Sequence, residues 1–484
     1  MSTNRPRLST STLNRLATGT LRPDYDRSKV TPAIVHLGIG AFHRAHMAVS
    51  IDAILAEEPG WGIVGASLRR PDTAEALLPQ DGLYTLAVRD AEGTTARVIG
   101  SILDIIDVNA RRADLLALMA SPAIRIVSLT VTEKGYCHDP ASGELDVNHP
   151  DIVHDLAHPE APNSAPGLIV AALERRRRAG LPPFTVLSCD NLPANGRTAG
   201  RIIRRLAALI SADLGRYAET VAFPSSMVDR IVPATTDTDR AEIAALTGVD
   251  DAWPVVTEPF TQWVIEDNFP LGRPNLARVG VEFVADVEPA EHMKLRMLNG
   301  SHSTLAYLGY LAGHAYVADA IADPDFRRLI EGFMTEEVIP TLAMPPEALR
   351  HYRDRLIARF ANPALRHRTW QIAMDGSQKL PQRLLGTIRD RLAAGLPFRR
   401  LALGVAGWMR YVAGRDDAGT PIDVRDPLAP LFADIGGDAG RLFALTEIFG
   451  DLSGNPVLEA EVLSALTALR RDGAKATVRA YSAA

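Results

Sequence analysis

The spacing of apolar residues changes along the chain near residue 288. Before that point, short runs of β-branched and other apolar residues, such as residues 33–37 and 184–189, alternate with stretches of helical periodicity. Such runs are typical of buried parallel strands, and strands alternating with helices indicate an α/β fold. Beyond it the helical periodicity dominates, as in residues 399–412. We therefore predict two domains, residues 1–287 with a parallel sheet and residues 288–484 mainly α-helical.

The first predicted strand runs directly into a Gly-x-Gly turn. Gly38 and Gly40 follow it, a helical pattern covers residues 44–58, and a second strand-like run covers residues 61–68. A strand, a glycine turn and a helix open a dinucleotide-binding unit, in which the first glycine allows the tight turn and the second lets a pyrophosphate approach the backbone. His43 stands in the place of the usual third glycine. The pattern predicts a Rossmann-type N-terminal domain.

The end of the second predicted strand normally distinguishes NAD from NADP. An acidic residue there binds the ribose 2′-hydroxyl, whereas an arginine accommodates a 2′-phosphate. This chain has Arg69 and Arg70, with Asp72 slightly beyond, so these residues leave both cofactors open. Glu133 and Lys134 follow another buried strand and form a further candidate wall of the cofactor site. The residues that we assign to the cofactor, with NAD preferred, are Gly38, Gly40, Phe42, Arg44, Arg69, Glu133 and Lys134.

Residues 291–302 carry the clearest candidate chemistry. Their apolar residues are spaced as in a helix, and Lys294, Asn299 and His302 would cover about 140° of its surface, which lets them face one cleft. Moving a hydride off a secondary alcohol requires a base for the hydroxyl proton and a donor for the oxyanion. A desolvated Lys294 suits the first role and Asn299 the second, with His302 orienting the substrate oxygen. The alternative is an amphipathic helix whose lysine and histidine are merely solvated.

Two further polar residues follow strand-like runs of the first domain. Asn191 comes directly after residues 184–189, where a parallel sheet presents catalytic groups, and it is a candidate second oxyanion donor beside Asn299. A turn residue is the alternative, because asparagine favours turns for its own reasons. Asp229 lies between apolar neighbours, which is typical of a paired charge in a core, and we assign it to the substrate site.

Residues 366–379 form a concentration of hydrogen-bond donors between two predicted helices of the second domain. We interpret this segment as a wall of the substrate site, and an inter-helix salt network is the alternative. The residues that we assign from it to the substrate are Arg366, Arg368, Gln371 and Lys379.

Composition narrows the class of protein. Of the 484 residues, 46% are hydrophobic and 23% are charged, and the formal net charge is −6. A general nucleic-acid binder needs a basic face, so this balance argues against one. The two cysteines, Cys137 and Cys189, are too few for a disulfide framework, and the histidine and cysteine spacing predicts no metal site. Because we find neither a signal-peptide pattern nor a membrane-spanning run, we expect a cytoplasmic protein without membrane partners.

Several motifs together resemble the mannitol dehydrogenase family of long-chain polyol and sugar dehydrogenases. The most specific is the Lys-x4-Asn-x2-His pattern of Lys294, Asn299 and His302. The resemblance implies that Lys294 is the general acid/base, that Asn191 and Asn299 form an oxyanion hole, that Glu291 passes the proton to water and that His302 contacts substrate. It also favours a monomer. The motifs lie in residues 38–46, 130–136, 188–191, 227–233, 258–267 and 294–302.

Within that family, residues 366–382 and 401–410 most resemble the fructuronate reductases, which interconvert D-fructuronate and D-mannonate. Mannitol 2-dehydrogenases carry an arginine eight residues before the substrate lysine, and here Gln371 occupies that place before Lys379. A uronate carboxylate favours a planar cation, which Arg366 or Arg368 would supply. The alternatives are a mannitol 2-dehydrogenase, a sugar-phosphate dehydrogenase of similar build, and a nucleotide-binding regulatory protein that has lost catalysis.

Overall fold

The computed structural model describes residues 5–139 and 142–483. The chain divides into two compact units, Met1–Glu288 and Pro289–Ala484. The strands, all in the first unit, are β1 (Pro32–Leu37), β2 (Gly62–Ser67), β3 (Tyr84–Arg89), β4 (Thr94–Ile99), β5 (Ile102–Asp107), β6 (Ile126–Leu129), β7 (Thr185–Ser188), β8 (Ser226–Asp229), β9 (Val255–Thr257), β10 (Gln262–Glu266) and β11 (Glu282–Val284).

A five-stranded parallel sheet with the order β5-β2-β1-β6-β7 forms the centre of the first unit. Val35 of β1 is paired with Val64 of β2 on one side and Val127 of β6 on the other. Both faces of the sheet are covered by apolar clusters, which explains why its strands are continuous β-branched runs instead of alternating ones. Two three-stranded sheets, β11-β10-β8 and β4-β3-β9, complete the unit.

The helices of the first unit pack against the sheet. They are α1 (Ala41–Ala45), α2 (Met47–Asp52), α3 (Asp72–Leu77), α4 (Val108–Ala120), α5 (Pro150–Ala157), α6 (Ala165–Arg178), α7 (Asn195–Ile210), α8 (Ala212–Ala218) and α9 (Asp237–Thr247). The strand order reverses at β1, because β2 lies on one side of it and β6 on the other. In an open parallel sheet, the crevice for ligands lies beyond the carboxyl ends of strands at such a reversal.

The second unit is built from helices. They are α10 (Glu288–Met293, which begins at the unit boundary), α11 (Gly300–Leu311), α12 (Val317–Ala322), α13 (Pro324–Gly332), α14 (Pro346–Phe360), α15 (Thr369–Ala373), α16 (Gly376–Leu380), α17 (Gly386–Ala393), α18 (Arg399–Val412), α19 (Ala429–Ile435), α20 (Ala439–Phe443), α21 (Thr446–Phe449) and α22 (Pro456–Ser482). Three π-helical segments, Lys294–Asn299, Phe333–Val338 and Pro381–Leu385, connect some of them. Within the described ranges, no helix combines the length and apolarity needed to cross a membrane.

The predicted fold class is confirmed: a Rossmann-type parallel sheet is followed by a helical C-terminal region. The single helix predicted for residues 44–58 is wrong, because α1 ends at Ala45, α2 begins at Met47, and α2 ends at Asp52. The carbonyl oxygens of Arg44 and Ala45, which a continuous helix would use internally, instead accept hydrogen bonds from Tyr84 (2.5 Å) and Arg230 (2.5 Å). Contacts from distant segments thus override the local helical pattern.

Candidate functional site

The glycine turn lies at the reversal of the strand order, at the carboxyl end of β1. Gly38 has φ +91°, and a Cβ built on it would lie 2.2 Å from the carbonyl oxygen of Thr130, at the end of β6. Only glycine fits that close approach. Gly40 is exposed at the N-cap of α1, and a Cβ there would project into open space, 3.9 Å from its nearest neighbour. The turn therefore leaves room for a phosphate group against bare backbone.

A chain of hydrogen bonds fixes this turn from within the sheet. The Thr130 hydroxyl donates to the carbonyl oxygen of Gly38 (2.7 Å), so it accepts from Nε2 of His36 (2.8 Å). The other ring nitrogen of His36 then accepts from the hydroxyl of Ser128 (2.8 Å). Burial lowers the pKa of His36 to about 3, so the imidazole is neutral and this hydrogen-bond pattern is fixed.

His43, in the place of the third glycine, packs beneath the turn. Its ring stacks on His36 with centroids 3.5 Å apart, and both of its nitrogens are buried without a hydrogen-bond partner among the described residues. Burial is the main cause of a pKa far below the ordinary histidine value, and the neighbouring His36, Arg44 and His46 lower it further. His43 is therefore a neutral packing residue, and its stacking on His36 was not predictable because His36 belongs to another element, β1.

Phe42 and Arg44 face different surroundings from those expected of cofactor ligands. Phe42 is half-buried and stacks on His46, with ring centroids 5.0 Å apart. Arg44 is only 4% exposed, and its guanidinium donates to the carbonyl oxygen of Trp253. Burial lowers the pKa of Arg44 to about 10. Its guanidinium points into the protein, and a direct role of Arg44 toward the cofactor stays a prediction.

The other predicted cofactor residues are exposed at the carboxyl ends of strands. Arg69 follows β2, and its largely exposed side chain pairs with Asp151 at 3.4 Å. Glu133 and Lys134 are exposed on a 3-10 turn, Glu133–Tyr136, that follows β6. Because β1, β2 and β6 are adjacent in the sheet, these residues share one edge with Gly38.

Asn191 and Asp229 also lie at strand ends of the first unit. Asn191 is exposed three residues after the end of β7, while Asp229 is the last residue of β8 and only 4% exposed. Between β7 and Asn191 stands Asp190, a buried carboxylate that the sequence analysis did not assign. Its carboxylate accepts from the backbone N–H groups of Val131 and Thr132 (3.0 and 2.9 Å).

In the second unit, a π-helical turn separates α10 from α11 and carries the predicted catalytic residues. Lys294 begins the turn and Asn299 ends it, and Glu291 lies three residues before Lys294 on α10. The N–H of Gly300 bonds to the carbonyl of Leu295, five residues earlier. Such a turn places residues five apart closer to one face of the helix than the roughly 140° that separates them in an α-helix. The turn thus lowers the angle between Lys294 and Asn299.

The side chains at the two ends of this turn are both buried. Lys294 is 9% exposed and Asn299 is 8% exposed. The Nδ2 group of Asn299 has no hydrogen-bond partner among the residues that the structure describes. A buried donor without a partner is costly, and native proteins keep few of them. This group is therefore suited to donate to an oxygen of a bound ligand.

His302, one helical turn further on, lies in a cationic environment. Its ring lies 4.7 Å from that of Phe360 and 5.1 Å from that of His367. Burial is the main cause of its strongly lowered pKa, and His367, Arg383, Arg359 and Lys379 lower it further in that order. His302 is therefore neutral, and the charged groups named here are all positive.

The predicted substrate segment divides into exposed and inward parts. Arg366, Arg368 and Gln371 are exposed, and neither arginine forms an ion pair within residues 5–139 and 142–483. Lys379 is half-buried and its ammonium donates to the carbonyl oxygens of Ile372 (3.4 Å) and Met374 (2.5 Å). Of the predicted segment, the structure brings Lys379 into the surroundings of His302.

Arg359, His367 and Arg383 also lie around His302, although the sequence motifs did not predict them there. Arg359 is 7% exposed near the end of α14, and Arg383 donates to the hydroxyl of Ser303 (3.1 Å). Arg383 follows Lys379 by four residues, the spacing of side chains on one helix face, and that signal was available. Arg359 carried no such signal, because α14 is separate in sequence.

One group of described residues has the ligand types of a metal site. Cys137, His149 and Asp151 offer ligand atoms that lie within 4.8 Å of one another. Two of the three are engaged elsewhere, since Nδ1 of His149 accepts from the Asp151 N–H (3.2 Å) and Asp151 pairs with Arg69. Burial raises the pKa of the Cys137 thiol to about 12, which disfavours the thiolate that a metal requires.

Two sequence profiles match this arrangement of domains. The mannitol dehydrogenase Rossmann domain matches residues 32–278, and the mannitol dehydrogenase C-terminal domain matches residues 286–470. The chain belongs to the mannitol dehydrogenase family. It is thus an oxidoreductase acting on CH–OH groups, and the resemblance predicted from its motifs is confirmed.

Relatives within the mannitol dehydrogenase family differ in substrate. The D-mannonate oxidoreductase of Escherichia coli K12 is 49% identical over 457 residues, covering 92% of this chain and 94% of the relative. A mannitol 2-dehydrogenase of Cereibacter sphaeroides is 44% identical over 473 residues, covering 96% and 99%. The structure of Pseudomonas fluorescens mannitol 2-dehydrogenase with NAD and D-mannitol has a TM-score of 0.89 at 40% identity, covering 98% and 99%.

Proposed function

We propose that this protein reversibly reduces D-fructuronate to D-mannonate with NADH. The observation that carries the choice of substrate is the presence of Arg359, Lys379 and Arg383 around His302, where Arg383 donates to the hydroxyl of the adjacent Ser303 (3.1 Å). A uronate differs from the corresponding polyol or ketose by a carboxylate at one end. Arginine and lysine bind a carboxylate with charge-assisted hydrogen bonds, which are about twice as strong as neutral ones.

The same groups are less suited to a neutral sugar end. Cationic side chains near His302 attract an anionic ligand group, whereas a neutral terminal hydroxyl gains less from them. The 49% identity to the E. coli D-mannonate oxidoreductase supports the same choice, as does Gln371 in the place where mannitol 2-dehydrogenases carry arginine.

In the proposed reaction, each candidate catalytic residue has one role. Lys294 delivers a proton to the developing alkoxide, and the unpartnered Nδ2 group of Asn299 donates to the same oxygen. Glu291 returns a proton to Lys294 from solvent, a role that rests on the family resemblance. His302, held neutral, orients the substrate by hydrogen bonding instead of by charge. Asn191 is the second oxyanion donor on the same resemblance.

The residues of the glycine turn fit a dinucleotide cofactor. Gly38 keeps the turn tight, and the open space at Gly40 would receive the pyrophosphate. NADH, when bound, supplies the hydride. Our preference for NADH over NADPH rests on the NAD in the P. fluorescens structure, and Arg69 leaves the 2′-phosphate as the alternative to be measured.

The test is a set of initial rates with NADH and NADPH, each against D-fructuronate and D-fructose. We expect kcat/KM for D-fructuronate to exceed that for D-fructose by at least about tenfold, because one charge-assisted contact of about 1.4 kcal/mol or more separates the two sugars. The NADH and NADPH rates with D-fructuronate decide the cofactor. A higher kcat/KM for D-fructose would replace this proposal with a mannitol 2-dehydrogenase, which the structural likeness to the P. fluorescens enzyme favours.

A matched pair of variants locates the carboxylate site. Arg383→Gln removes one cation near His302 and is expected to lower kcat/KM for D-fructuronate about tenfold or more, with little effect on D-fructose. Arg391, a buried arginine of α17 that donates to the carbonyl oxygens of Glu336 and Pro397, is the control. Arg391→Gln should lower thermal stability without changing the ratio of the two substrates. An unchanged ratio in Arg383→Gln would contradict the assignment.

A further inference from the structure

Asp190 joins the loop after β6 to the end of β7. Its carboxylate is 8% exposed and accepts three hydrogen bonds, from the backbone N–H groups of Val131 (3.0 Å) and Thr132 (2.9 Å) and from the hydroxyl of Tyr136 (2.8 Å). The Tyr136 hydroxyl also lies 2.6 Å from that of Ser188 in β7. No other hydrogen bond to the two backbone N–H groups occurs in the described part of the chain.

The loop that Asp190 holds has an unfavourable backbone conformation. Thr132 has φ +64° and ψ 165°, a region that a β-branched residue rarely occupies. Such a conformation persists only when its surroundings impose it. The Asp190 carboxylate provides that restraint, because it bonds the N–H of Thr132 and of the residue before it. Directly after Thr132 stand Glu133 and Lys134, two residues assigned to the cofactor.

The backbone of Asp190 is connected through hydrogen bonds to β8. Its carbonyl oxygen accepts from Nδ2 of Asn195 (3.0 Å), which also donates to the carbonyl oxygen of Ser226 (2.8 Å). The Asn195 amide oxygen accepts from the N–H of Ser226 (2.9 Å), at the start of β8. Asp190 therefore has fixed partners on the loop after β6 and, through Asn195, on β8. Asn191 is its immediate neighbour along the chain.

We propose that Asp190 is a positioning residue that holds the cofactor loop 131–136 and the adjacent Asn191 in one arrangement. This inference deepens the function proposed above and rests on it for the role of Asn191. Asp190 itself takes no part in the chemistry, because each of its carboxylate oxygens is already engaged by loop donors. Its contribution is to the placement of its neighbours.

The decisive variant is Asp190→Asn. An amide has one acceptor oxygen, so in either orientation its NH₂ group faces a backbone N–H, and at least one of the two backbone bonds is lost. We expect amides of residues 131–136 to exchange hydrogen for deuterium at least about tenfold faster, and the NADH dissociation constant to rise about tenfold. We expect kcat to fall about 100-fold, since misplacement of about 1 Å has that effect.

Asp155 provides a matched control in the same unit. Its carboxylate is 1% exposed and likewise accepts two backbone N–H bonds, from Asn163 (2.6 Å) and Ser164 (3.0 Å), and one from the Ser164 hydroxyl (2.5 Å). Asp155→Asn should lower thermal stability as Asp190→Asn does, with exchange of residues 131–136, NADH affinity and kcat within about twofold of the parent. Equal effects of both variants on these three quantities would overturn the proposal.

Tyr136→Phe decides the question if Asp190→Asn does not fold. It removes one of the three donors to Asp190 and leaves both backbone bonds, so its effects on exchange and NADH affinity should have the same direction and a smaller size. Exchange and NADH affinity unchanged in Tyr136→Phe would then refute the positioning role. Neither readout needs a sugar substrate. If the parent protein reduces neither D-fructuronate nor D-fructose, the proposed function fails while the positioning role is still measured.

Discussion

Two buried asparagine amides, one in each unit, differ in how fully they are bonded. The amide of Asn195, 2% exposed, donates to two carbonyl oxygens and accepts from one backbone N–H. The amide of Asn299, 8% exposed, keeps an Nδ2 group with no partner among the described residues. Both amides are therefore buried, and they differ in whether the Nδ2 group has a hydrogen-bond acceptor.

The contrast separates two uses of a buried polar group. A fully bonded amide such as that of Asn195 stabilises the fold, because its removal leaves several other groups unsatisfied. A buried donor without a partner stabilises nothing in the free protein and becomes useful when a ligand supplies an acceptor. Asn195 thus has a structural role between β7 and β8, whereas the unpartnered donor of Asn299 is consistent with the catalytic role proposed for it.

The largest expected effect is that of Lys294→Ala on turnover. Loss of a general acid/base costs on the order of 10²–10⁴ in rate, so we expect kcat to fall by about 100- to 10,000-fold. The NADH dissociation constant, measured by fluorescence titration, should stay within about twofold. Turnover comparable to that of the parent protein would remove the chemical role from the turn and with it the contrast drawn above.

Asn299→Ala and Asn195→Ala compare the two amides directly. Loss of one oxyanion donor lowers kcat about 100- to 1000-fold, which we expect of Asn299→Ala, with a change in the free energy of unfolding of less than about 1 kcal/mol. Asn195→Ala should instead destabilise the protein by about 1–3 kcal/mol, since Ser226 and Asp190 lose their partner. Rates and urea unfolding at one pH measure both. A large loss of stability in Asn299→Ala would contradict the proposed difference between Asn299 and Asn195.

Gly38 and Gly40 allow a similar comparison of a structural position with a ligand-binding one, in the turn assigned to the cofactor. Gly38→Ala places a Cβ 2.2 Å from the carbonyl oxygen of Thr130 at φ +91°, so we expect a loss of about 1–3 kcal/mol of stability together with weaker NADH binding. Gly40→Ala fills open space at φ −83° and should leave stability within about 0.5 kcal/mol. Its NADH dissociation constant should nevertheless rise about tenfold. NADH affinity unchanged in Gly40→Ala would place the pyrophosphate elsewhere.

Features set by local chemistry were predictable from the sequence. The turn at Gly38 follows from the residues on either side of it, and the parallel sheet follows from continuous apolar runs. The pairing of Arg44 and Ala45 carbonyls with Tyr84 and Arg230 was not predictable, because it depends on segments far along the chain. That pairing is why one predicted helix became two.

The candidate site likewise has features that the sequence predicts and features that depend on packing. Lys294, Asn299 and His302 were found by their spacing. The π-helical turn that carries the first two was not predictable, because it leaves the pattern of apolar residues unchanged. Arg359 was missed because its place near His302 depends on how α14 packs. A resemblance of motifs therefore located the residues, and three-dimensional packing determined which charges act on them.

The smallest expected effect concerns two histidines whose pKa values are low for different reasons. Burial lowers the pKa of His36 to about 3, whereas burial and then the charge of Lys379 lower that of His367 to about 4. Lys379→Gln should therefore raise the pKa of His367 and leave that of His36 unchanged, as measured by NMR of histidine-labelled protein. Equal shifts at both rings would show a general loosening of the fold.

The same histidines make stability depend on pH. The unfolded chain protonates its histidines near pH 6.5, whereas His36 and His367 stay neutral in the folded protein down to about pH 3 and about pH 4. Below pH 6.5 the unfolded state therefore binds more protons, and the free energy of unfolding falls as pH decreases, by about 1.4 kcal/mol per pH unit for each histidine. Because Lys379→Gln raises the folded pKa of His367, its contribution to this loss should end at a higher pH, so that less stability is lost between pH 6.5 and 4 than in the parent. Urea unfolding across that range measures the difference, and curves that run parallel would mean that Lys379 does not act on His367.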